Sequence, residues 1–225
     1  MEVTKPSYEI LTPISSGGEE ELRRIEEIAR TCYKSESKSD ISDTARFIDG
    51  LIRRGHLAML EHGSLSVRFV TDRCISHEMV RHRMASFAQE STRWCNYANG
   101  RFGGQITIVE PDFSDADDPF AAMIHFEAAV KYAEETYLYL INTQHLSAQK
   151  ARRILPHCLK TEIVITANYR EWMHIFELRC AKDCDPEISK LMTALLTDLR
   201  ERLPIIFDRC ALYLYNERVN DVAEP

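Results

Sequence analysis

The sequence has a few strand patterns, widely separated by long helical patterns. This arrangement most constrains how the chain can fold. Residues 64–69 alternate apolar and polar side chains, which predicts a half-buried strand, and the β-branched run within 162–167 predicts another. Between them, a long amphipathic helix is predicted from Pro119 to about residue 142. The strands are too far apart for regular β-α-β units, and no repeat or linker divides the chain. We therefore predict one α+β domain over residues 1–225, with helices packed on a small, mostly antiparallel sheet.

The remaining elements follow from periodicity, capping residues and turn residues. Asp72 is a candidate N-cap for a helix over about 73–84, which would carry the triplet Arg81-His82-Arg83 near its C-terminal end. Segment 85–104 shows no clear period, and its Asn-Gly and Gly-Gly pairs predict turns. The other expected elements are strands at 8–12 and 105–109, and helices at about 19–33, from Asp43 or Thr44 to Arg54, at about 147–155, 170–180, 186–202 and 204–216.

Composition limits the class of protein. The 225 residues are 44% hydrophobic and 28% charged, which supports a sizeable core, and the formal charge of -7 disfavours a general nucleic-acid binder. The cysteine count is seven, an odd number, and no Cys-x-x-Cys occurs, so reduced thiols in a cytoplasmic protein are expected. The first residues lack a signal-peptide pattern, and no uncharged apolar run approaches the length of a membrane span.

The stretch 78–97 concentrates cationic side chains. Arg81, His82, Arg83 and Arg93 lie close together in sequence, and such a cluster repels itself unless a partner neutralises it. Because arginine binds phosphate through paired hydrogen bonds, we predict a site for a phosphorylated ligand. The alternative is a solvated face, or pairing with Glu78 and Glu90. Apolar residues interleaved through the stretch favour the ligand site.

Other kinds of site fit the same stretch less well. A zinc-protease helix needs histidines four residues apart, whereas His77 and His82 are five apart, so no metal site is expected. Ser91 has no nucleophile-elbow sequence and is favoured as a phosphate hydrogen-bond donor over the nucleophile of a serine hydrolase. Stacking of single-stranded RNA on Trp94 and Tyr97 is an alternative that the acidic net charge disfavours. No Gly-x-Gly-x-x-Gly or P-loop sequence occurs.

Motifs in order along the chain resemble those of the flavin-dependent thymidylate synthases. The signature is Arg81-His82-Arg83, seven residues, then Ser91, and Thr92-Arg93 continues it. The resemblance extends from about Tyr8 to Tyr215. Its other motifs are Gly55-His56 with Glu61-His62, Ala151-Arg152 with Leu155-Pro156, Thr161-Glu162, Asn168, Arg170-Glu171-Trp172 and Leu178-Arg179.

The resemblance implies a ThyX-like fold and an enzyme that methylates deoxyuridylate (dUMP) to thymidylate (dTMP). It implies FAD reduced by NADPH as the hydride source, methylenetetrahydrofolate as the carbon donor, and a homotetramer with active sites at subunit interfaces. Arg179 is the implied catalytic residue, facing the uracil ring and stabilising its ionised form. The residues implied for dUMP are Glu78, Arg81, Gln89, Glu90, Ser91, Thr92, Arg93, Arg152 and Arg179, and those implied for FAD are His56, Arg81, His82, Arg83, Gln89, Asn168, Arg170 and His174.

Four positions depart from common members of that family. Ala58 stands where many members carry Ser or Thr, which removes a possible hydroxyl contact to FAD. Glu78 stands where some members have Gln, Gln89 replaces a common Glu, and Asp183 lies where a His can occur. None of these positions belongs to the arginine set, so the resemblance still implies the activity.

Overall fold

The computed structural model describes residues 1–32, 34–36 and 40–208. It combines helices with a small antiparallel sheet, so the predicted α+β class is confirmed. The strands are β1 Glu2–Thr4, β2 Ser7–Ile10, β3 Ser64–Asp72, β4 Ala85–Gln89, β5 Thr107–Val109 and β6 Lys160–Asn168. The helices are α1 Glu19–Thr31, α2 Ile41–Arg53, α3 Arg73–Met79, α4 Pro119–Asn142, α5 Ala148–Ala151, α6 Tyr169–Arg179 and α7 Pro186–Arg202.

Contacts divide the chain into two compact units. Unit 1 comprises residues 1–7, 68–81 and 87–164, and unit 2 comprises residues 8–67, 82–86 and the described residues from 165 onward. The four-stranded sheet has the strand order β2-β3-β6-β4, which puts β4 at an edge. In unit 1, β1 pairs in parallel with β5, with Glu2 opposite Thr107 and Thr4 opposite Val109.

The core of unit 1 lies between the long helix α4 and the β5 region. Val130 and Tyr137 of α4 are buried against Ile106, Ile108 and Tyr97. The spacing of Val130 and Tyr137 places them on one face of the helix, as the predicted amphipathic pattern requires. Asp118 caps this helix by accepting from Ala121 N, and proline occupies its first turn.

The core of unit 2 is built around α6. The ring of Trp172 stacks on Phe176 with centroids 5.7 Å apart, and the Phe207 ring meets Phe176 edge to face. Trp172 Nε1 also donates to the Leu65 carbonyl at 3.0 Å, which ties the helix to β3. At the start of α6, the Tyr169 ring lies so close to Gly63 that a Cβ there would be 2.2 Å from it. These contacts fix where the last turn of α6 places its side chains.

The structure corrects the predicted helix over 73–84. Asp72 caps the helix as predicted, but the helix ends at Met79. The triplet Arg81-His82-Arg83 lies in the following turn, with both arginines exposed and His82 buried. The hydrogen bond from Arg179 Nε to His82 Nε2 at 2.9 Å holds His82 in this turn. A tertiary contact of this kind outweighs the local helical propensity.

The structure also shows a strand that the sequence analysis missed. Residues 85–89 form β4, with Ala85, Phe87 and Gln89 half-buried and the residues between them exposed. Small and polar residues hide the period of this edge strand. Smaller differences are that Asp40 caps α2, where Asp43 or Thr44 was expected, and that β5 begins at Thr107. Residues 204–208 are helical, and the remainder of the predicted helix over 204–216 lies outside the described residues.

Among the described residues, no helix combines the length and the apolar character needed to span a bilayer.

Candidate active site

His82 and Arg179 form a direct hydrogen bond in unit 2. Arg179, the last residue of α6, donates from Nε to Nε2 of His82 at 2.9 Å. His82 is only 6% exposed, and the ring of His174 meets it edge to face at 6.3 Å between centroids. Burial, the Arg179 charge and His174 together lower the pKa of His82 to about 4. The imidazole is therefore neutral at neutral pH and can accept the arginine hydrogen.

The lowered pKa of His82 predicts a loss of stability in acid. Above about pH 6.5 this imidazole is neutral in both the folded and the unfolded chain. Between about pH 6.5 and 4 only the unfolded chain binds the proton, so the free energy of unfolding falls with pH, by about 3 kcal/mol in full. Urea denaturation midpoints at about pH 7 and pH 4.5 measure this loss. His82→Gln should lose less than the wild type, and equal losses would contradict the account.

The other unit 2 residues implied for FAD lie on or beside several elements. His56 precedes the 3-10 turn Leu57–His62, Arg83 follows α3, Asn168 ends β6, and Arg170 and His174 lie on α6. Arg170 is exposed and pairs with Glu61 at 2.6 Å. The Asn168 side-chain oxygen caps α6 by accepting from Glu171 N, so its amide nitrogen is not used by the cap. Exposed residues of this group are His56, Arg83, Arg170 and His174.

In unit 1, Gln89 is held by its own chain. Its Nε2 donates to Ser76 Oγ at 2.9 Å and to Thr161 Oγ1 at 3.3 Å. Arg73 donates from Nη2 to the backbone carbonyl of Glu90, the residue after Gln89, at 2.7 Å. Arg73 Nε is buried without a hydrogen-bond partner, which marks it as a donor that a ligand or a water can satisfy.

Glu90, the residue after β4, belongs to a second hydrogen-bond network. Tyr97 Oη donates to Glu90 Oε1 at 2.6 Å, and Lys160 Nζ lies 3.2 Å from Glu90 Oε2 and 2.7 Å from Glu162 Oε1. Burial and the Glu90 hydrogen bond raise the pKa of Tyr97. Burial lowers the pKa of Lys160, but its bonds to the two carboxylates outweigh this effect and raise it. Any contact of Glu90 with a nucleotide must therefore share a carboxylate that already has two partners.

This network lines a pocket of about 560 Å³ within unit 1. Its cationic and anionic groups, Arg68, Lys160, Glu90 and Glu162, balance in charge. The other lining residues are Ala88, Gln89, Cys95, Tyr97, Phe102, Thr107 and Val164. The pocket therefore includes Gln89 and Glu90 of the residues implied for dUMP, and it is not lined by the exposed arginines.

Two arginines flank the turn that holds Ser91 and Thr92. Arg152 donates from Nη1 to Thr92 Oγ1 at 3.2 Å, and Arg93 donates from Nε to Gln149 Oε1 at 3.3 Å. Ser91 Oγ accepts from the Arg93 backbone N–H at 3.4 Å. Both arginines are exposed. The oxygens that accept these two hydrogen bonds are neutral, so neither bond offsets the positive charge of its arginine. The remaining predicted residues of unit 1, Glu78 and Arg81, lie at the end of α3 and in the turn after it, where Arg81 N donates to the Glu78 carbonyl.

Sequence reasoning missed the residues that hold the predicted ones. Lys160 and Glu162 lie two apart on β6, so they share a face of the strand, which is a readable signal for an ion pair. Glu61 was noted only as part of a family motif, yet it pairs with Arg170. No local signal connects Gln149 to Arg93 or Tyr97 to Glu90.

The structure disfavours the hydrolase alternative. A serine nucleophile needs a base with an available lone pair, and the Nε2 lone pair of His82 is occupied by Arg179. Among residues 1–32, 34–36 and 40–208, no group of three or more His, Cys, Asp or Glu side chains is arranged to hold a metal ion.

Comparison with known proteins identifies the family. The model of the thymidylate synthase complementing protein family matches residues 16–205, which include the whole signature. The chain belongs to the flavin-dependent thymidylate synthase family. A flavin-dependent thymidylate synthase of Geobacter sulfurreducens is 32% identical over 186 residues, covering 80% of this chain and 77% of the relative. A flavin-dependent thymidylate synthase of Mycobacterium tuberculosis is 31% identical over 195 residues, covering 81% of this chain and 77% of the relative.

Solved structures support the same fold. PolB of Streptomyces cacaoi, a UMP/dUMP methylase bound with 5-Br dUMP, superposes with a TM-score of 0.77 at 19% identity. The match covers 92% of this chain and 96% of that chain. The same methylase bound with 5-Br UMP gives a TM-score of 0.76 at 20% identity. The ThyX-like fold implied by the sequence motifs is thus confirmed, and the family assignment favours the enzyme over the RNA-binding module.

Proposed function

We propose that this chain catalyses the reductive methylation of dUMP to dTMP, with FAD reduced by NADPH and with methylenetetrahydrofolate as the carbon donor. Membership of the family supports the reaction, and the 5-Br dUMP bound to the methylase PolB supports the substrate. The observation that carries the proposal is the arginine at the end of α6, held by a neutral imidazole. That hydrogen bond orients the guanidinium and does not neutralise its charge.

Arg179 would stabilise negative charge on the uracil ring. Attack by a ring carbon on a one-carbon donor requires electron density to build up on the pyrimidine, and a fixed cation lowers the free energy of that state. A guanidinium keeps its proton throughout the reaction, because its delocalised positive charge makes it too weak an acid to lose one. A neutral acceptor such as His82 favours this role, since a carboxylate in its place would compete with the anionic ring for the same charge.

The turn around Ser91 would bind the phosphate of dUMP. Ser91 and Thr92 supply hydroxyl donors, and Arg93 and Arg152 supply guanidinium groups whose contacts in unit 1 are with neutral oxygens. A dianionic phosphate would exchange those weak contacts for charge-assisted hydrogen bonds. Binding there positions the nucleotide and leaves the chemistry to the ring.

Arg152→Ala is expected to weaken dUMP binding by about 10- to 100-fold, because it removes one or two charge-assisted hydrogen bonds. Deoxyuridine, which lacks the phosphate, should bind equally weakly to the variant and the wild type. Arg153→Ala is the matched control, since Arg153 is the exposed neighbouring residue with the same charge. Calorimetric titration with both ligands measures the effect. Equal losses for the two alanine variants would contradict a specific phosphate contact.

The donor set of unit 2 fits FAD. A flavin ring presents carbonyl and nitrogen acceptors, and the FAD diphosphate is anionic, so imidazole, amide and guanidinium donors suit it. His56, Asn168, Arg170 and His174 would hold the group, with Arg83 adding a further cation. When bound and reduced by NADPH, FAD would supply the hydride that brings the transferred methylene carbon to the methyl level. Arg170 would contribute by leaving or sharing its surface pair with Glu61.

We further propose a homotetramer with active sites at subunit interfaces, acting in the cytoplasm. Helix α4 exposes several large apolar side chains, a surface suited to contact with another copy. These side chains are Phe120, Ile124, Tyr132 and Tyr139. No disulfide bond joins any of the six described cysteines, which suits a reducing compartment.

NADPH oxidation by the purified protein with FAD tests the proposed function. We expect oxidation to change when dUMP is added, because dUMP is the proposed substrate of the flavin-dependent reaction. Bound yellow flavin together with a dUMP response supports the proposal. A folded protein that neither binds flavin nor responds to dUMP would overturn it.

A further inference from the structure

The hydrogen bond between Arg179 and His82 has a direction that only one form of imidazole allows. Arg179 Nε carries a hydrogen and no acceptor lone pair, so Nε2 of His82 must accept. An imidazole that accepts at Nε2 carries its single proton on Nδ1. A doubly protonated imidazolium has no lone pair and cannot make this bond.

The surroundings of His82 keep it in the accepting form. The Arg179 guanidinium and the His174 ring face it from α6, and the chain neighbours Arg81 and Arg83 are cationic. The Glu177 carboxylate lies 3.6 Å from His174 Nδ1 and so faces this group from the same helix. Burial and the Arg179 charge disfavour a second positive charge on His82. The side chain is therefore a fixed acceptor at neutral pH.

We propose that His82 is a positioning residue for Arg179: its neutral imidazole, protonated on Nδ1, holds the Nε–H and so sets the plane of the guanidinium presented to the pyrimidine. This inference rests on the proposed function. A guanidinium is planar, so a bond at Nε restricts the rotation of the whole group. A cation fixed in this way needs no reorganisation as charge develops on the substrate.

Substitutions at position 82 separate positioning from flavin binding. His82→Phe removes the acceptor and, with FAD and dUMP both saturating, should lower kcat by about 10- to 100-fold. His82→Gln places an amide oxygen near the position of Nε2 and should recover most of that loss. Arg200→Ala, on the exposed surface of α7 where Arg200 pairs with Asp208, is the control and should keep kcat. If the Phe and Gln variants lose activity or flavin equally, the acceptor role is overturned.

The effect of His82 should depend on its partner. In the Arg179→Ala background, His82→Phe is expected to cause no further loss of kcat, because there is no guanidinium left to orient. Additive losses would mean that His82 acts independently of Arg179, which would overturn the proposal.

A measurement that does not depend on turnover tests the contact itself. Selective ¹⁵N-histidine labelling of the holoenzyme, with the His82 signals assigned by their absence in His82→Gln, reports the tautomer at neutral pH. A neutral ring protonated on Nδ1 is expected, and an imidazolium or a ring protonated on Nε2 would overturn the proposal. If the wild type forms dTMP while His82→Phe matches it, positioning fails and the function stands. If the wild type forms no dTMP, the function fails, and the role with it, whatever the tautomer.

Discussion

Arg179→Ala is expected to lower kcat by about 10²- to 10³-fold while FAD remains bound. The magnitude is that of removing one fixed donor from a site where negative charge develops, about 3–4 kcal/mol. Arg179 is half-buried at the end of α6, so shortening its side chain removes the cation without removing a core residue. Single-turnover formation of dTMP, together with flavin absorbance and dUMP titration, separates chemistry from binding.

Two further variants sharpen the Arg179 experiment. Arg179→Lys keeps the charge but loses the planar donor set, and should retain only part of the activity. Arg200→Ala removes an exposed arginine of α7 that pairs with Asp208, and should leave kcat unchanged. Loss of flavin together with turnover in Arg179→Ala would contradict the proposed role.

Trp172→Ala is expected to lower the free energy of unfolding by about 3–5 kcal/mol, as for other large buried aromatic residues. Trp172 is fully buried, stacks on Phe176 and donates to the Leu65 carbonyl, so the variant leaves both a cavity and an unpaired acceptor. Because α6 carries Arg179, the variant should also lose turnover, to the extent that α6 is no longer folded.

The sequence contains one natural control for this experiment. Trp94, the other tryptophan, is 78% exposed and contacts the Arg93 guanidinium through its ring face. Trp94→Ala should change stability by less than about 0.5 kcal/mol. Denaturation in urea, followed by circular dichroism because each variant removes a fluorophore, compares the two. Similar losses of stability would contradict the assignment of Trp172 as the anchor of α6.

Periodic elements with local end signals could be predicted from the sequence. The alternation of Leu65, Val67 and Phe69 predicted β3, and Pro119 predicted the start of α4. Both signals act within a few residues, so no tertiary information is needed to interpret them. The family motifs predicted the ThyX-like fold, because their order along the chain is specific to that family.

Features set by distant partners could not be predicted. The turn at His82 depends on Arg179, which lies 97 residues further along the chain. Glu90 was expected to contact a nucleotide, yet its carboxylate is engaged by Lys160, 70 residues away. Neither pairing leaves a periodic trace in the sequence, and both alter what the side chain offers to a ligand. The roles predicted for dUMP and FAD residues remain predictions that the substitutions above address.

Formation of dTMP from dUMP tests the central claim most directly. Purified protein with FAD and NADPH would receive methylenetetrahydrofolate labelled in its methylene carbon, and the nucleotide product would be analysed by mass spectrometry. We expect the wild type to form labelled dTMP only when every component is present. Arg179→Ala should form it far more slowly. A folded, flavin-containing wild-type protein that leaves dUMP unlabelled would contradict the account.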